Sequence, residues 1–544
     1  MNVISGSQAT PKCEQSMSMT NKPLASRNSG NFYTHQRIGL FINDQIIQLI
    51  KARHRNIISI IDPFAGDGRL ICWLIESAQR SGVDAFWKIT LWDQNEAALR
   101  EAKIRIDAMR HRTNSAIELS ISCTNTFIHA QGHSEKFDMV ITNPPWEGLK
   151  PDRRELGGLS EVGREKHIHM LKALDQKLAK IYPNSQPIKK FAGWGTNLSR
   201  VGLELSIQLL RPGGELAIVL PSSTFADQVS SPLRRWVVEN TAIQSIGYFP
   251  AEARLFEHVD QASMVFTGVK VPKAKQSFPV YSFDHNSSSY DMQRLTFSAD
   301  TWSASDYCIP FAIRGDAQGF LDSVLSFPTW GELEKSNDQF WAGRELDETG
   351  LEAKLSSSGT YRFVKGRMVG RFQLVEPVTK RIVSKDVPVP STADMYRIAW
   401  RDVSRPTQRR RMQATVICPG YVTGNSLNIA LFKNQDEHAA LALLAIMNSL
   451  VFEIQVRMRS STSHISLGVT RGVRLPDIGN RKIAKNLSFI AAQCLKNPRD
   501  HESILEVIVA KAYGLSKDAF ESLLTSFPKI NSKDAESILG CQAW

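Results

Sequence analysis

Paired cysteines are missing from this 544-residue chain. Its seven, Cys13, Cys72, Cys123, Cys308, Cys418, Cys494 and Cys541, stand singly, with no CxxC. That excludes a disulfide framework and a thiolate zinc site, and fits reduced intracellular thiols. The N-terminus lacks the apolar segment of a secretory signal, so a cytoplasmic location is expected. No apolar run is long enough for a bilayer; the most apolar helix-like one, 439–452, predicts a buried helix. No repeat recurs at a solenoid period. No metal site and no membrane partner are expected. Acidic residues are in deficit, 54 Asp and Glu against 66 Lys and Arg, leaving a formal charge of +12. A polyanionic partner follows from that balance.

What is present divides unevenly along the chain. Residues 1–30 are rich in Ser, Asn and Lys with few large apolar side chains, which predicts disorder. From 31 to 270, short apolar runs alternate with amphipathic stretches. "NIISIIDPF", "FWKITLWD", "IELSISCTN", "FDMVITN" and "GELAIVLP" predict strands, with helices such as "RLICWLIESAQRSG" between them. That alternation predicts a doubly wound, Rossmann-like α/β sheet binding its ligand at the strands' carboxyl ends. From 271 to 480 the segments are shorter and mixed, predicting an α+β region, and 481–544 predicts a small helical unit. Residues 361–411 hold 13 Lys and Arg against 4 Asp and Glu, a local +9. Within that segment the run Arg409-Arg410-Arg411 predicts phosphate contact, with a solvated face as the alternative.

Three strand ends carry the chemistry. "DPFAGDGRL" (62–70) leaves a strand and opens a helix; Gly66 and Gly68 let the backbone approach a ligand. No Walker lysine follows, and Asp62 and Asp67 would repel a pyrophosphate. Asp93 ends the next strand, where a carboxylate accepts hydrogen bonds from ribose hydroxyls; a helix N-cap is the plain alternative. "ITNPPWEGL" (141–149) stops a third strand, because Pro144 and Pro145 cannot donate to a ladder. Asn143 and Trp146 are then a polar and an aromatic group at one rigid tip, suited to a flat, hydrogen-bonding ligand.

Together these motifs resemble the S-adenosylmethionine-dependent amino-methyltransferases, and more closely the gamma class of N6-adenine DNA methyltransferases from restriction–modification systems. "FYTHQRIGLFI" (32–42) stands where that family has its first motif, with His35 in place of proline. Phe64 replaces the family's alanine, and Asn125 in "CTNTF" replaces the aspartate that meets the cofactor's adenine. The resemblance implies S-adenosylmethionine bound by Tyr33, Thr34, Asp62, Phe64, Ala65, Gly66, Gly68, Asp93 and Asn125. It implies catalysis by Asn143, Pro144 and Trp146, with Phe256 as a second ring stacking on the base. Asn143 and the Pro144 carbonyl would accept both N6 hydrogens of adenine, returning electron density to a poorly nucleophilic amine. The base must first leave the duplex. "RIAWRDVSRPTQRRRMQATVICPG" resembles a recognition block, so Arg401, Arg405, Arg409, Arg410 and Arg411 are expected on double-stranded DNA. Too few residues precede the first motif for the nuclease that some family members fuse there, and a separate restriction endonuclease is left open as a partner. Two alternatives stand beside this reading. One is methylation of RNA or of a protein glutamine; the other is a non-catalytic DNA-binding subunit.

Overall fold

The computed structural model describes residues 34–544 apart from 54, 114–115, 191–192, 257–260, 273–275, 285, 287–288, 311–312, 383–386, 461–462 and 479. The expected disordered segment 1–30 and Tyr33 lie outside the described residues.

The five expected strands are β1 (Ile57–Asp62), β2 (Phe86–Asp93), β3 (Ile117–Cys123), β4 (Phe137–Thr142) and β5 (Leu210–Pro221). Four more join them: β6 (Thr241–Phe249), β7 (Ser263–Lys270), β8 (Gln276–Phe283) and β9 (Tyr290–Phe297). The sheet order is β3-β2-β1-β4-β5-β7-β6-β8-β9. The five strands β1–β5 are mutually parallel, and β7 runs antiparallel between β5 and β6. Strand order reverses between β1 and β4, which makes the gap between their carboxyl ends the switch point.

Side chains alternate across the sheet as a two-residue period requires. Ile58, Ile60, Met139, Ile141, Ala217 and Val219 face one core, shared with helices Gln36–Arg53, Arg69–Arg80 and Glu96–Thr113. Ile61, Val140, Leu216, Ile218 and Leu220 face the other, under helices Leu198–Leu209 and Ser231–Asn240. Covered on both faces, these strands read as unbroken apolar runs. Each fully buried Ile or Leu contributes about 1.5–3 kcal/mol relative to exposure.

The second half departs from the expected boundaries. The sheet runs on through β8 and β9 to Phe297, past the break expected at 270, because Phe278, Val280, Leu295 and Phe297 continue its buried face. Two four-stranded sheets follow, one ordered Phe340–Gly343, Leu427–Phe432, Arg397–Arg401, Ala414–Ile417, the other built from shorter strands. The expected helix over 439–452 is two, Glu437–Met447 and Leu450–Arg459, bent by 66°. Ser449 makes the break by accepting the Phe452 N–H as the second helix's N-cap. Both are largely buried, and no single helix among the described residues is long and apolar enough to cross a membrane. Helix Arg481–Lys496 packs on Glu437–Met447, so 481–544 shares a core with what precedes it.

Candidate active site

The ends of β1, β2 and β4 line one cleft with Thr34, Asp62, Phe64, Ala65, Gly66, Asp93, Asn143, Pro144 and Trp146. The backbone sets most of it. Gly66 (φ 49°) and Gly68 (φ 72°) turn the loop after β1. A Cβ on Gly68 would lie 3.0 Å from that of Ala102, so glycine there lets two helices close. Gly68 therefore stands behind the cleft and is not among its lining residues. Gly66 N–H donates to Asp93 Oδ2 at 2.8 Å, and Asn95 N–H donates to Oδ1 at 2.8 Å. The strand-end acid is thus held by two backbone donors with its carboxylate on the cleft. Asp67, the other loop acid, is buried and neutralised by Arg69 at 2.7 Å and Arg105 at 2.9 Å.

Asp62 is almost wholly buried and accepts from Thr142 Oγ1 at 2.7 Å and Phe64 N–H at 3.1 Å. Burial, seconded by the charges of Asp93 and Asp67, pushes its carboxyl up to about 7 against those two bonds. At the end of β4, Asn143 Nδ2 donates to Thr34 Oγ1 at 3.1 Å, which places the amide oxygen on the other side. Pro144 is buried against Gly202, whose absent Cβ would meet the proline ring at 2.5 Å. The motif is seated on helix Leu198–Leu209 by that contact. Past it, Leu198 N–H donates to the Glu147 carbonyl and Leu149 N–H to that of Thr196. These two bonds close the neck of a helical insertion whose long helix, Glu161–Ile181, buries only Asp175 and Leu178.

Two expected residues are placed differently. Phe256 is 4% exposed, and its ring meets Trp146 edge-on at 4.7 Å. Rings in contact leave no room for a base between them, so Phe256 is a support behind Trp146 and not the second face of a sandwich. Asn125 is exposed and does not line the cleft; Thr126 and Phe127 do. Thr126 Oγ1 donates to the Pro63 carbonyl at 2.6 Å, and Phe127 packs on Phe64 at 5.0 Å. Of the wall, Phe127, Leu198 and Asn95 escaped the sequence reading, whereas Phe64 was expected. The aromatic in "CTNTF" was the available signal for Phe127; Leu198, 52 residues beyond Trp146, had none.

The arginines depart further. Arg410 is buried against Glu506 and Glu502, and Arg411 is 1% exposed, donating to the Ser460 and Ser404 carbonyls. Neither projects from the open surface; Arg411 instead lines an inner cavity. Arg401 donates to the carbonyls of Val369 and Arg367, and Arg409 pairs with Asp534. Arg405 is exposed. Elsewhere in the segment, Lys365 meets Glu352, Arg371 meets Glu502 and Arg397 meets Glu345. The local +9 is offset in part by acids from outside it.

The cleft has the form of a strand-end site for a flat, polar ligand beside a glycine loop. Residues 69–256 match the Eco57I restriction-modification methylase family. The match spans less than half of the chain but includes NPPW and ends on Phe256. It supports a methyltransferase role, and with it the status of an enzyme. No curated protein matches the chain significantly. Among solved structures, the chain resembles a nuclease-deletion mutant of the Type ISP restriction-modification enzyme LlaGI with a DNA substrate mimic. Identity is 10% over 86% of this chain and 47% of that one, with a TM-score of 0.52. The ATP-dependent Type ISP enzyme LlaBIII bound to DNA gives 10% over 87% and 40%, at 0.50. A type I restriction-modification methyltransferase subunit from Streptococcus thermophilus gives 18% over 46% and 48%, at 0.33. The chain spans less than two thirds of each of these proteins.

Proposed function

We propose that this protein is a site-specific DNA adenine-N6 methyltransferase using S-adenosylmethionine, the modification part of a restriction–modification or similar defence system. One observation carries the reading: the glycine loop, Asp93 and the Asn143-Pro144-Pro145-Trp146 tip converge on one cleft at the switch point. The residues fit the donor. Asp93, fixed by Gly66 and Asn95, suits ribose hydroxyls; Phe64 and Phe127 suit a flat ring. Asp62 and Asp93 suit the cofactor's positive groups. When bound, the donor supplies an electrophilic methyl on a sulfonium.

The chain's own part is positioning. Thr34 holds the Asn143 amide by its nitrogen, so the oxygen is the end that accepts from a substrate amine. The Pro144 carbonyl is the second acceptor, on a ring clamped over Gly202. Two acceptors at one amine localise its lone pair and aim it. Trp146, half-buried and backed by Phe256, stacks one face of an extruded base. Duplex DNA is the proposed substrate because the matched family is one of restriction–modification methylases, and two enzymes sharing the fold hold DNA or a mimic of it. A separate endonuclease partner is part of the same proposal. Native sequencing of DNA from a host expressing the protein tests it: N6-methyladenine at one sequence context is expected. Modification absent from the host DNA, with the purified protein transferring methyl groups to RNA or a glutamine peptide, overturns it.

A further inference from the structure

A second cavity opens on the same edge of the sheet, past the catalytic cleft, at the carboxyl ends of β5, β6 and β8. Ser222, Tyr248 and Phe283 form its sheet side. Its other walls come from four separate stretches of chain, which supply Arg314, Arg411, Arg457 and Lys529. Glu252 is the carboxylate among the lining residues, and Glu453 stands behind the guanidiniums. Glu453 is already engaged, accepting from Arg457 Nε at 2.8 Å and from the backbone N–H groups of Arg411 and Met412. All three guanidiniums and Glu252 line the same cavity as Tyr248.

Gathering four cations around a partly desolvated space is costly unless an anion completes it. Arg411 shows the strain: burial, with Arg457 adding like charge, pushes it down to about 10 despite Glu453. Roles divide by tethering. Arg457 donates to the Pro406 and Gln408 carbonyls and Arg411 to those of Ser460 and Ser404, so both supply field from fixed positions. Arg314 gives one donor to the Phe283 carbonyl and has four more on a fork suited to phosphate oxygens. Lys529 is exposed at the mouth.

We propose that the cavity walled by Tyr248, Arg314, Arg411, Arg457 and Lys529 is a binding site for a phosphate group. The phosphate belongs either to the backbone of a DNA duplex or to a free nucleotide; the chemistry recognised is the same. The site does not depend on the methylation reading.

Full-length protein is titrated with a fluorescent DNA duplex across a salt series, and separately with ATP. Arg314→Gln, Lys529→Gln and the double variant are compared with Arg314→Lys, which keeps the charge. With a backbone phosphate, the double variant loses about tenfold in duplex affinity, and its logarithmic salt slope falls by about 0.9 per lost contact. With a free nucleotide, ATP binds the wild type and the double variant loses about tenfold in that affinity instead. Arg314→Lys retains most of either. Unchanged duplex slope together with unchanged or absent ATP binding overturns the site, as does an Arg314→Lys defect equal to that of Gln. A denaturant midpoint unchanged in every variant shows the fold intact. Methylation is scored in parallel: a wild type that binds DNA without methylating it refutes the proposed reaction and leaves this test standing.

Discussion

The cleft at the ends of β1, β2 and β4 and the basic segment 361–411 were both prominent in the sequence, yet only the first kept its meaning in three dimensions. In the cleft, Asp62, Asp93 and Asn143 are placed locally, by where a parallel strand must stop. Asp93 sits one residue from Gln94 and two from the Asn95 N–H that holds it. In the basic segment, the partners of the arginine run are remote: Glu502 and Glu506 for Arg410, Asp534 for Arg409. A motif built on backbone geometry is readable from sequence, whereas a charge excess is not, because its counter-charges are distributed along the whole chain.

The largest effect expected from that contrast is on stability. Removing one member of a buried ion pair costs about 3–5 kcal/mol, since the other charge is left uncompensated. Arg410→Ala strands Glu506, which is fully buried, and should lower the denaturant midpoint accordingly. Folded variant should bind duplex DNA with wild-type affinity. A stable variant with weakened DNA binding would restore Arg410 to the phosphate contacts.

Asp62 tests the cleft from the opposite side, as a charge the fold tolerates at a cost. Its folded-state value of about 7 lies above the unfolded 3.8, so the folded protein holds the proton more tightly. Its contribution is full below about pH 4 and is lost as pH rises through 7. At 1.36 kcal/mol per unit the span is at most about 4 kcal/mol. Asp62→Asn should therefore be more stable than wild type at pH 8, little different at pH 4, and weaker in S-adenosylmethionine binding by calorimetry. Equal unfolding midpoints of variant and wild type at pH 8 would mean that the burial of Asp62 is fully offset by its two hydrogen bonds.

Asn143→Ala should cut methyl transfer by about 10²–10³, as loss of one oriented polar group does elsewhere, with cofactor affinity nearly intact. Thr34→Val should share part of that loss, because it removes the acceptor that orients the amide. Turnover within tenfold of wild type in Asn143→Ala would reject the clamp. Strand, glycine loop and NPPW fixed Asn143 and Asp93 without any long-range information. Phe256 was legible as an aromatic near the site, but its role depended on the 4.7 Å approach to Trp146. That distance is set by the packing of two segments 110 residues apart, which no local pattern encodes. The ends of the units were unreadable for a related reason: the core passes continuously from β5 through β9 into the helices after 437.

The smallest effect sharpens the comparison most, because it separates two surface arginines of the same segment. Arg409 is about half exposed and paired with Asp534; Arg405 is exposed. Exposed pairs contribute about 0–1 kcal/mol, so neither Arg409→Ala nor Asp534→Ala should move stability by more than that. Their consequences for DNA differ. If the pairing holds Arg409 back, Arg409→Ala leaves the salt slope of duplex binding unchanged. Asp534→Ala then frees a guanidinium for phosphate, and the slope steepens by up to about 0.9. Arg405→Ala should flatten it by about the same amount if that side chain meets a phosphate. An Arg409→Ala slope as flattened as that of Arg405→Ala would show that DNA competes Asp534 away, and that the acid in this pair sets the salt at which the arginine engages.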